Sequence, residues 1–429
     1  MNDAPASGDS TSDRPPSHDP DSRGTLVALA RRTLAHARAG TVPLAADIAR
    51  VPATNYHDPD RWRAEMERVF KRLPLVLGFS CELAEPNSYK ALDVAGVPVL
   101  LTRDGGGTIR SFVNMCSHRG AIVVEEGAGV ARRFTCPYHA WSYDGDGRLV
   151  GILDRDQFGD LDPSCHGLTP LPVAERAGIV FGGLSPGAGA DMNDVLDSFL
   201  CGYDRMLEHH GFDRCTYVGS QSVTGPNWKV AYDGYLDFYH LPILHRNTFG
   251  ANASNKAIYD AWGPHQRVTS PDEHVLALDG VPEDDWSVGA LTSGVWTIFP
   301  HASIAAFKVA DDAGSGGRMY MVSTLYPGAD PDTSVTVQHF LAAFDPPPSL
   351  QPLIDAQRSF LLQVVRDEDY HTGNRIQRAV KTGAKSAFLF GRNEAGGQRF
   401  HGWVDRLVAA ETEQDTATLF ERAEVVFQP

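Results

Sequence analysis

Apolar positions Leu26, Leu29, Ala30 and Leu34 recur at helical spacing, and Gly40 supplies a stop. A second helix follows, with Asp58 as cap, Pro59 in the first turn and Trp62, Met66, Val69, Phe70 and Leu73 as one apolar stripe. From about residue 75 the period shortens to that of strands. Residues 97–102 and 109–115 flank Asp104-Gly105-Gly106-Gly107, a hairpin signal, and Pro98 predicts an edge strand. A second turn, Asp144-Gly145-Asp146-Gly147, lies within the same block, which Ile179-Val180-Phe181 closes near residue 182. Residues 192–210 then read as one helix with Val195, Leu196, Phe199, Leu200, Tyr203, Met206 and Leu207 on one side and Gly211 as terminator. Asn227-Trp228-Lys229 opens another helix. Residues 295–299, 319–326 and 334–344 predict an antiparallel sheet, and a long helix runs from 350 to about 380. The pattern is α+β, an all-β block followed by a mixed one.

Composition narrows this picture. A chain of 429 residues has the length for two or three domains, and 42% hydrophobic with 21% charged residues is ordinary globular usage. The net charge of −16 argues against nucleic acid, which needs clustered Lys and Arg. No run reaches the length of a membrane span. The first 23 residues, rich in Ser, Asp, Pro and Arg, read as a disordered tail without the apolar stretch of a signal peptide. The expected division is 1–24 tail, 25–74 helices packing on the last domain, 75–182 β domain and 183–429 a mixed α+β domain, with a Gly/Ala-rich linker around 187–190. Of six cysteines, Cys81, Cys165, Cys201 and Cys215 are expected to be inert core thiols in a reducing compartment, read as cytoplasm.

The remaining two cysteines carry chemistry. Cys116 and His118 form C-x-H, Cys136 and His139 form C-x2-H, and the halves are 17 residues apart. Two turns each presenting a thiolate and an imidazole are what a Rieske [2Fe–2S] cluster requires, with two cysteines on one iron and two histidines on the other. A Cys2His2 zinc site is the alternative reading of these four residues.

A second constellation lies downstream. Asp237 and His240 are one helical turn apart, and Pro242 predicts a break at Leu241 that frees His245 to turn back toward His240. Two histidines and one carboxylate on one side of a metal form the facial arrangement of non-haem Fe(II) oxygenases. His209-His210 are expected to complement a helix dipole. Trp296, Phe299, Phe307 and Tyr320 are expected to pack, and His401 among other scattered histidines has no assigned role.

Cys116-Ser117-His118-Arg119-Gly120 and Cys136-Pro137-Tyr138-His139-Ala140-Trp141 resemble the two cluster loops of the Rieske non-haem iron oxygenases. With Asn227-Trp228-Lys229 and the Asp-x2-His-x4-His run of 237–245, the resemblance to aromatic ring-hydroxylating large (alpha) subunits covers nearly the whole chain. It implies a β domain holding the [2Fe–2S] cluster and a helix-grip catalytic domain, a curved antiparallel sheet wrapped on a long C-terminal helix. It implies Fe(II) on His240 and His245, with Asp369 as third ligand and Asp367 or Glu368 as substitutes. It implies that Asp237 bridges an iron histidine and a cluster histidine of a neighbouring subunit, in a homotrimer or an alpha3beta3 assembly with a small beta subunit. Where relatives carry Glu-Asn this chain has Tyr232-Asp233, so Asp233, two turns before His240 on one helix face, is expected either as a fourth oxygen near the iron or simply as a hydrogen-bonding group. The reaction implied is hydroxylation of a small, preferentially aromatic substrate by O2. Oxidative demethylation or monooxygenation of a non-aromatic substrate is the alternative, and an electron carrier the distant one. Electrons would come from a separate NAD(P)H-dependent reductase, with or without a ferredoxin, since the chain shows no dinucleotide fingerprint.

Overall fold

The computed structural model describes residues 21–187, 191–250, 253–271 and 273–427. Most of the expected tail and the linker residues 188–190 lie outside them. The first helix, Ser22–Ala39, begins inside the span assigned to the tail and ends at Gly40, whose φ of 67° suits a residue without Cβ. Asp58 caps the helix Pro59–Glu65 by accepting from the backbone N–H groups of Asp60 and Arg61.

The β block contains a five-stranded sheet in which Val97–Arg103 lies between Ser88–Val94 and Ile109–Val113. The strand is therefore central, and the edge expected from Pro98 is incorrect. Pairing with Ile109–Val113 starts at Val99, so no partner on that side asks for the N–H that proline lacks. A three-stranded sheet, Arg133–Thr135, Ser142–Asp144 and Leu149–Gly151, carries the second cysteine loop. Both predicted turns are closed by aspartates: Asp104 Oδ1 accepts from Gly106 and Thr108, and Asp144 Oδ1 from Asp146 and Arg148. This region has its own small core, built on Leu100, Phe112, Phe134, Trp141, Tyr143 and Leu149.

The second part of the chain is built on an eight-stranded antiparallel sheet. Its order is Thr216–Gly225, Ser334–Ala342, Gly316–Pro327, Ala302–Ala310, Val295–Ile298, His265–Thr269, Ile258–Trp262 and Val425–Phe427. The long helix runs from Gln351 through a π-helical turn, Val365–Tyr370, to Val380. Leu350 and Ile354 at its start pack with Val309, Met319 and Phe340 of the sheet. Trp296, Phe299 and Tyr320 are core residues, as expected.

Two helical expectations differ. Residues 192–210 are not one helix: Met192–Phe199 and Asp204–Leu207 are separated at Cys201 and Gly202, both at positive φ. His210 is buried and stacked on Phe212, and its burial lowers its pKa well below the ordinary value, so it is neutral and cannot complement a dipole as a cation. Cys215 is buried, but Cys165 is exposed and does not belong to a core. No helix among the described residues is long and apolar enough to cross a membrane.

Candidate metal centres

The two cysteine loops share one construction. Cys116 N–H donates to Ala121 O and Gly120 N–H to Cys116 O; Cys136 N–H donates to Trp141 O and Ala140 N–H to Cys136 O. Each turn is closed by a left-handed residue four positions after the cysteine, Gly120 at φ 77° and Ala140 at φ 58°. A non-glycine residue held in this region is strained, and such strain gathers at functional sites. Asn114 braces the first loop, its Oδ1 accepting from Val123 and Val124 N–H. Tyr143 OH accepts from Ser117 N–H at 3.0 Å and lies 3.2 Å from Cys116 Sγ.

Both cysteines are buried in the small core, while His118 and His139 sit half-buried at its rim with ring centroids 4.5 Å apart. Trp141 stacks on His118. His118 Nδ1 is buried with no hydrogen-bond partner, and desolvation, then the neighbouring His118 and Arg119, hold the His139 pKa below its ordinary value. An orphaned imidazole nitrogen and a histidine kept neutral suit metal ligation, which requires the unprotonated ring. Two inner thiols and two outer imidazoles match the donor set of a mixed Cys/His iron–sulfur cluster.

At the second site the backbone departs from expectation. Asn227 caps the helix Trp228–Leu236 by accepting from Lys229 N–H, and the helix ends there, with Asp237 extended at φ −113°, ψ 113°. A turn leads to the short helix Leu241–Leu244, which holds Pro242 in its first turn. The break thus falls at Asp237 and not at Leu241, because proline is tolerated where no N–H is needed. Asp237, His240 and Asp233 do not share one helix face.

The turn instead brings His240 and His245 together. Their Nε2 atoms are 3.2 Å apart, and Asp369 Oδ1 lies 3.1 Å from His245 Nε2 and 3.6 Å from His240 Nε2. The far nitrogen of each ring meets a carboxylate: His240 Nδ1 is 3.1 Å from Asp237 Oδ2, and His245 Nδ1 is 2.6 Å from Glu368 Oε2. With both Nδ1–H groups donating outward, two imidazole lone pairs and a carboxylate oxygen face one another. Three acceptors so placed repel unless a cation stands among them. Adjacent ligands of an octahedral ion with bonds of about 2.1 Å are separated by about 3.0 Å, so the spacing suits one. Burial lowers the His245 pKa, but Asp369 and Glu368 outweigh it and leave the value raised, which is the same attraction expressed toward a proton. Asp367 pairs with Arg366 and is turned away.

Asp233 takes the hydrogen-bonding alternative. Its Oδ2 accepts from Tyr56 OH and its Oδ1 from His401 Nε2, both at 2.9 Å. It nonetheless borders a cleft of about 180 Å³ together with Asp237, His240, Asp369 and Glu394, and none of the described residues lining that cleft is Lys or Arg. Tyr56 and His401 had no sequence signal, since each meets Asp233 across more than 100 residues, and Glu368 was expected only as a substitute ligand and not as the partner of His245 Nδ1.

Comparison with known proteins finds two families along the chain. The Rieske [2Fe-2S] domain family matches residues 74–161, and the ring hydroxylating alpha subunit (catalytic domain) family matches residues 212–410. The glycine betaine monooxygenase oxygenase subunit of Chromohalobacter salexigens is 31% identical over 46% of this chain and 43% of its own length. The anthranilate 1,2-dioxygenase large subunit of Burkholderia cepacia is 32% identical over 52% of this chain and 55% of its own. The matches thus span about half the length of such relatives. Among solved structures, naphthalene 1,2-dioxygenase from Rhodococcus sp. aligns over 90% of this chain and 99% of its own at 22% identity, with a TM-score of 0.68. A quaternary ammonium Rieske monooxygenase aligns over 84% and 96% at 22% identity, with a TM-score of 0.66. These two likenesses speak for the fold.

Proposed function

The chain belongs to the Rieske oxygenase large subunits, and on that premise we propose that it is the terminal oxygenase of a multicomponent system that hydroxylates a small organic substrate. The observation that carries this reading is the convergence of His240 Nε2, His245 Nε2 and Asp369 Oδ1 while both Nδ1 atoms are tied to carboxylates. In this reading Cys116, Cys136, His118 and His139 hold the [2Fe–2S] cluster, and His240, His245 and Asp369 hold Fe(II). The chemistry these groups supply when bound is single-electron transfer at the cluster and O2 activation at the mononuclear iron. The chain's own part is to fix the ligand rings and to leave His240 and Asp369 bordering the open cleft.

A separate reductase, with or without a ferredoxin, would supply electrons. Asp237 would link one subunit's iron site to the next subunit's cluster, in a trimer with or without a beta subunit. The first reading of the substrate is aromatic, the class that the anthranilate relative is named for. A second reading, monooxygenation or demethylation of a cationic, non-aromatic substrate, is favoured by the cleft that Asp233, Asp237 and Glu394 line without a basic side chain.

Metal and product analyses test these statements. The wild type should contain three irons and two acid-labile sulfides per chain. His245→Ala and Asp369→Ala should each lose about one iron and keep the cluster's visible spectrum. Two irons in the wild type, or three in both variants, would remove the mononuclear assignment. Feeding neutral aromatics, aromatic acids and trimethylammonium compounds to cells with a permissive reductase decides the substrate class by which product accumulates.

A further inference from the structure

The π-helical turn Val365–Tyr370 interrupts the long helix where two of its three successive acidic residues, Glu368 and Asp369, meet the proposed iron site. In an α-helix consecutive side chains diverge by about 100°, which would turn one of the pair away from any shared target. The wider i→i+5 turn narrows that angle, and such turns recur at functional positions. Here Glu368 and Asp369 both reach His245, one at each ring nitrogen: Asp369 Oδ1 is 3.1 Å from Nε2 and Glu368 Oε2 is 2.6 Å from Nδ1. Glu368 Oε2 also accepts from Thr248 Oγ1 at 2.9 Å, so a single carboxylate oxygen takes two donors, one on the histidine and one three residues beyond it. His245 is itself 2% exposed, so its ring is confined by packing as well.

We propose that Glu368 is a positioning residue for the mononuclear iron: it holds His245 as the Nδ1–H tautomer with Nε2 aimed at the metal, and Thr248 holds Glu368 in turn. The proposal rests on the reading of His240, His245 and Asp369 as iron ligands. Glu368 faces the ring nitrogen opposite the point of convergence, so it acts through His245 and not on the metal. A carboxylate on a ligand imidazole also makes the ring more basic and a stronger donor, and outer partners of this kind are commonly worth 10- to 100-fold in metal affinity. Asp237 stands in the same relation to His240, 3.1 Å from Nδ1. The two carboxylates arrive from opposite directions, Asp237 from the residues before the ligand turn and Glu368 from the C-terminal helix. The second histidine is thereby oriented by the same helix that presents Asp369, so the placement of two of the three ligands depends on one π-helical turn.

The test is Fe(II) retention against a graded series of ferrous chelators, with the cluster's visible absorbance and the thermal midpoint as measures of the fold. Glu368→Ala should bind Fe(II) about 10- to 100-fold more weakly than the wild type, yet fill to one mononuclear iron per chain at high Fe(II). Glu368→Gln keeps an acceptor for both donors and loses only the charge, so its affinity should fall several-fold and stay above that of Glu368→Ala. Thr248→Val should weaken retention less than either. Wild-type retention in Glu368→Gln and Glu368→Ala overturns the proposal. So does a Glu368→Ala protein that, like Asp369→Ala, fails to fill at any Fe(II) concentration, because Glu368 would then be a ligand. Should Glu368→Ala not fold, the isosteric Glu368→Gln decides alone. Normal retention in His245→Ala and Asp369→Ala would instead remove the underlying site, a result distinct from these.

Discussion

At His265 burial and hydrogen bonding together select one protonation state. Its Nε2–H donates to Phe199 O at 2.8 Å, its Nδ1 accepts from Phe299 N–H at 3.2 Å, and its ring stacks on Tyr203. The neutral ring is fully satisfied, and burial pushes its pKa down to about 4. The unfolded chain binds this proton near the ordinary value of about 6.5, so between about pH 6.5 and 4 unfolding takes up a proton and stability rises with pH. The stabilisation is present above about pH 6.5 and is lost as pH falls toward 4. Urea melts across that range should show a slope that His265→Gln reduces by about one proton; an unchanged slope would remove His265 as its source. The resemblance of the Asp-x2-His-x4-His run made His240 and His245 a legible pair, since that spacing alone is common. His401 and Tyr56 were not legible as the residues that hold Asp233, because hydrogen bonds across 168 and 177 residues leave no mark on local sequence.

Among the elements, the helix Trp228–Leu236 shows what its opening residues do. Lys229 and Trp228 Nε1 both donate to Glu65, which also takes Arg61 Nε at 2.7 Å, and Glu65 and Lys229 are fully buried. Burial lowers the Lys229 pKa, with Glu65 opposing that shift. Removing one partner strands a charge without water, so Glu65→Ala should cost about 3–5 kcal/mol in denaturant unfolding; a loss below about 1 kcal/mol would mean that water enters. The long C-terminal helix is set at Gly373, where an added Cβ would stand 2.7 Å from Pro226 Cγ. Gly373→Ala should cost about 1–3 kcal/mol and, since Asp369 lies one turn earlier, should also weaken iron retention. A stable variant with wild-type iron would mean that Pro226 yields without moving the helix. The proline before His245 was legible as a disturbance, but its place was not: the chain leaves the helix at Asp237 and accepts Pro242 in a new first turn.

For the whole molecule, the Cys/His loops belong to the small β core and the His240, His245 and Asp369 triad to the helices on the large sheet, so in the proposed function electrons would cross between the two. Within the chain, Asp237 accepts from Tyr239 N–H and lies against His240, and its side chain stays partly exposed. A partly exposed carboxylate beside a proposed iron ligand could take a histidine from a neighbouring subunit, and a ring closed by one repeated head-to-tail contact would provide that neighbour. Asp237→Ala should keep the cluster spectrum and the mononuclear iron yet slow cluster reoxidation when the reduced protein meets substrate and O2 in rapid mixing. Reoxidation at the wild-type rate, or full activity in a monomer, would sink the bridging role.

Read alone, the sequence determined what depends on neighbours along the chain: both Cys/His turns, the Asp-capped hairpins, the α+β order and the pairing of His240 with His245. These are legible because a turn, a cap or an i,i+5 histidine pair is written within a few residues. Only the tertiary structure decided what depends on meeting across the fold. It made Val97–Arg103 central by pairing it beyond Pro98, neutralised His210 by burying it, and drew Asp233 to Tyr56 and His401. It also set Asp369 and Glu368 on opposite nitrogens of His245, since a π-helical turn and a contact across 123 residues arise from packing and not from local propensity.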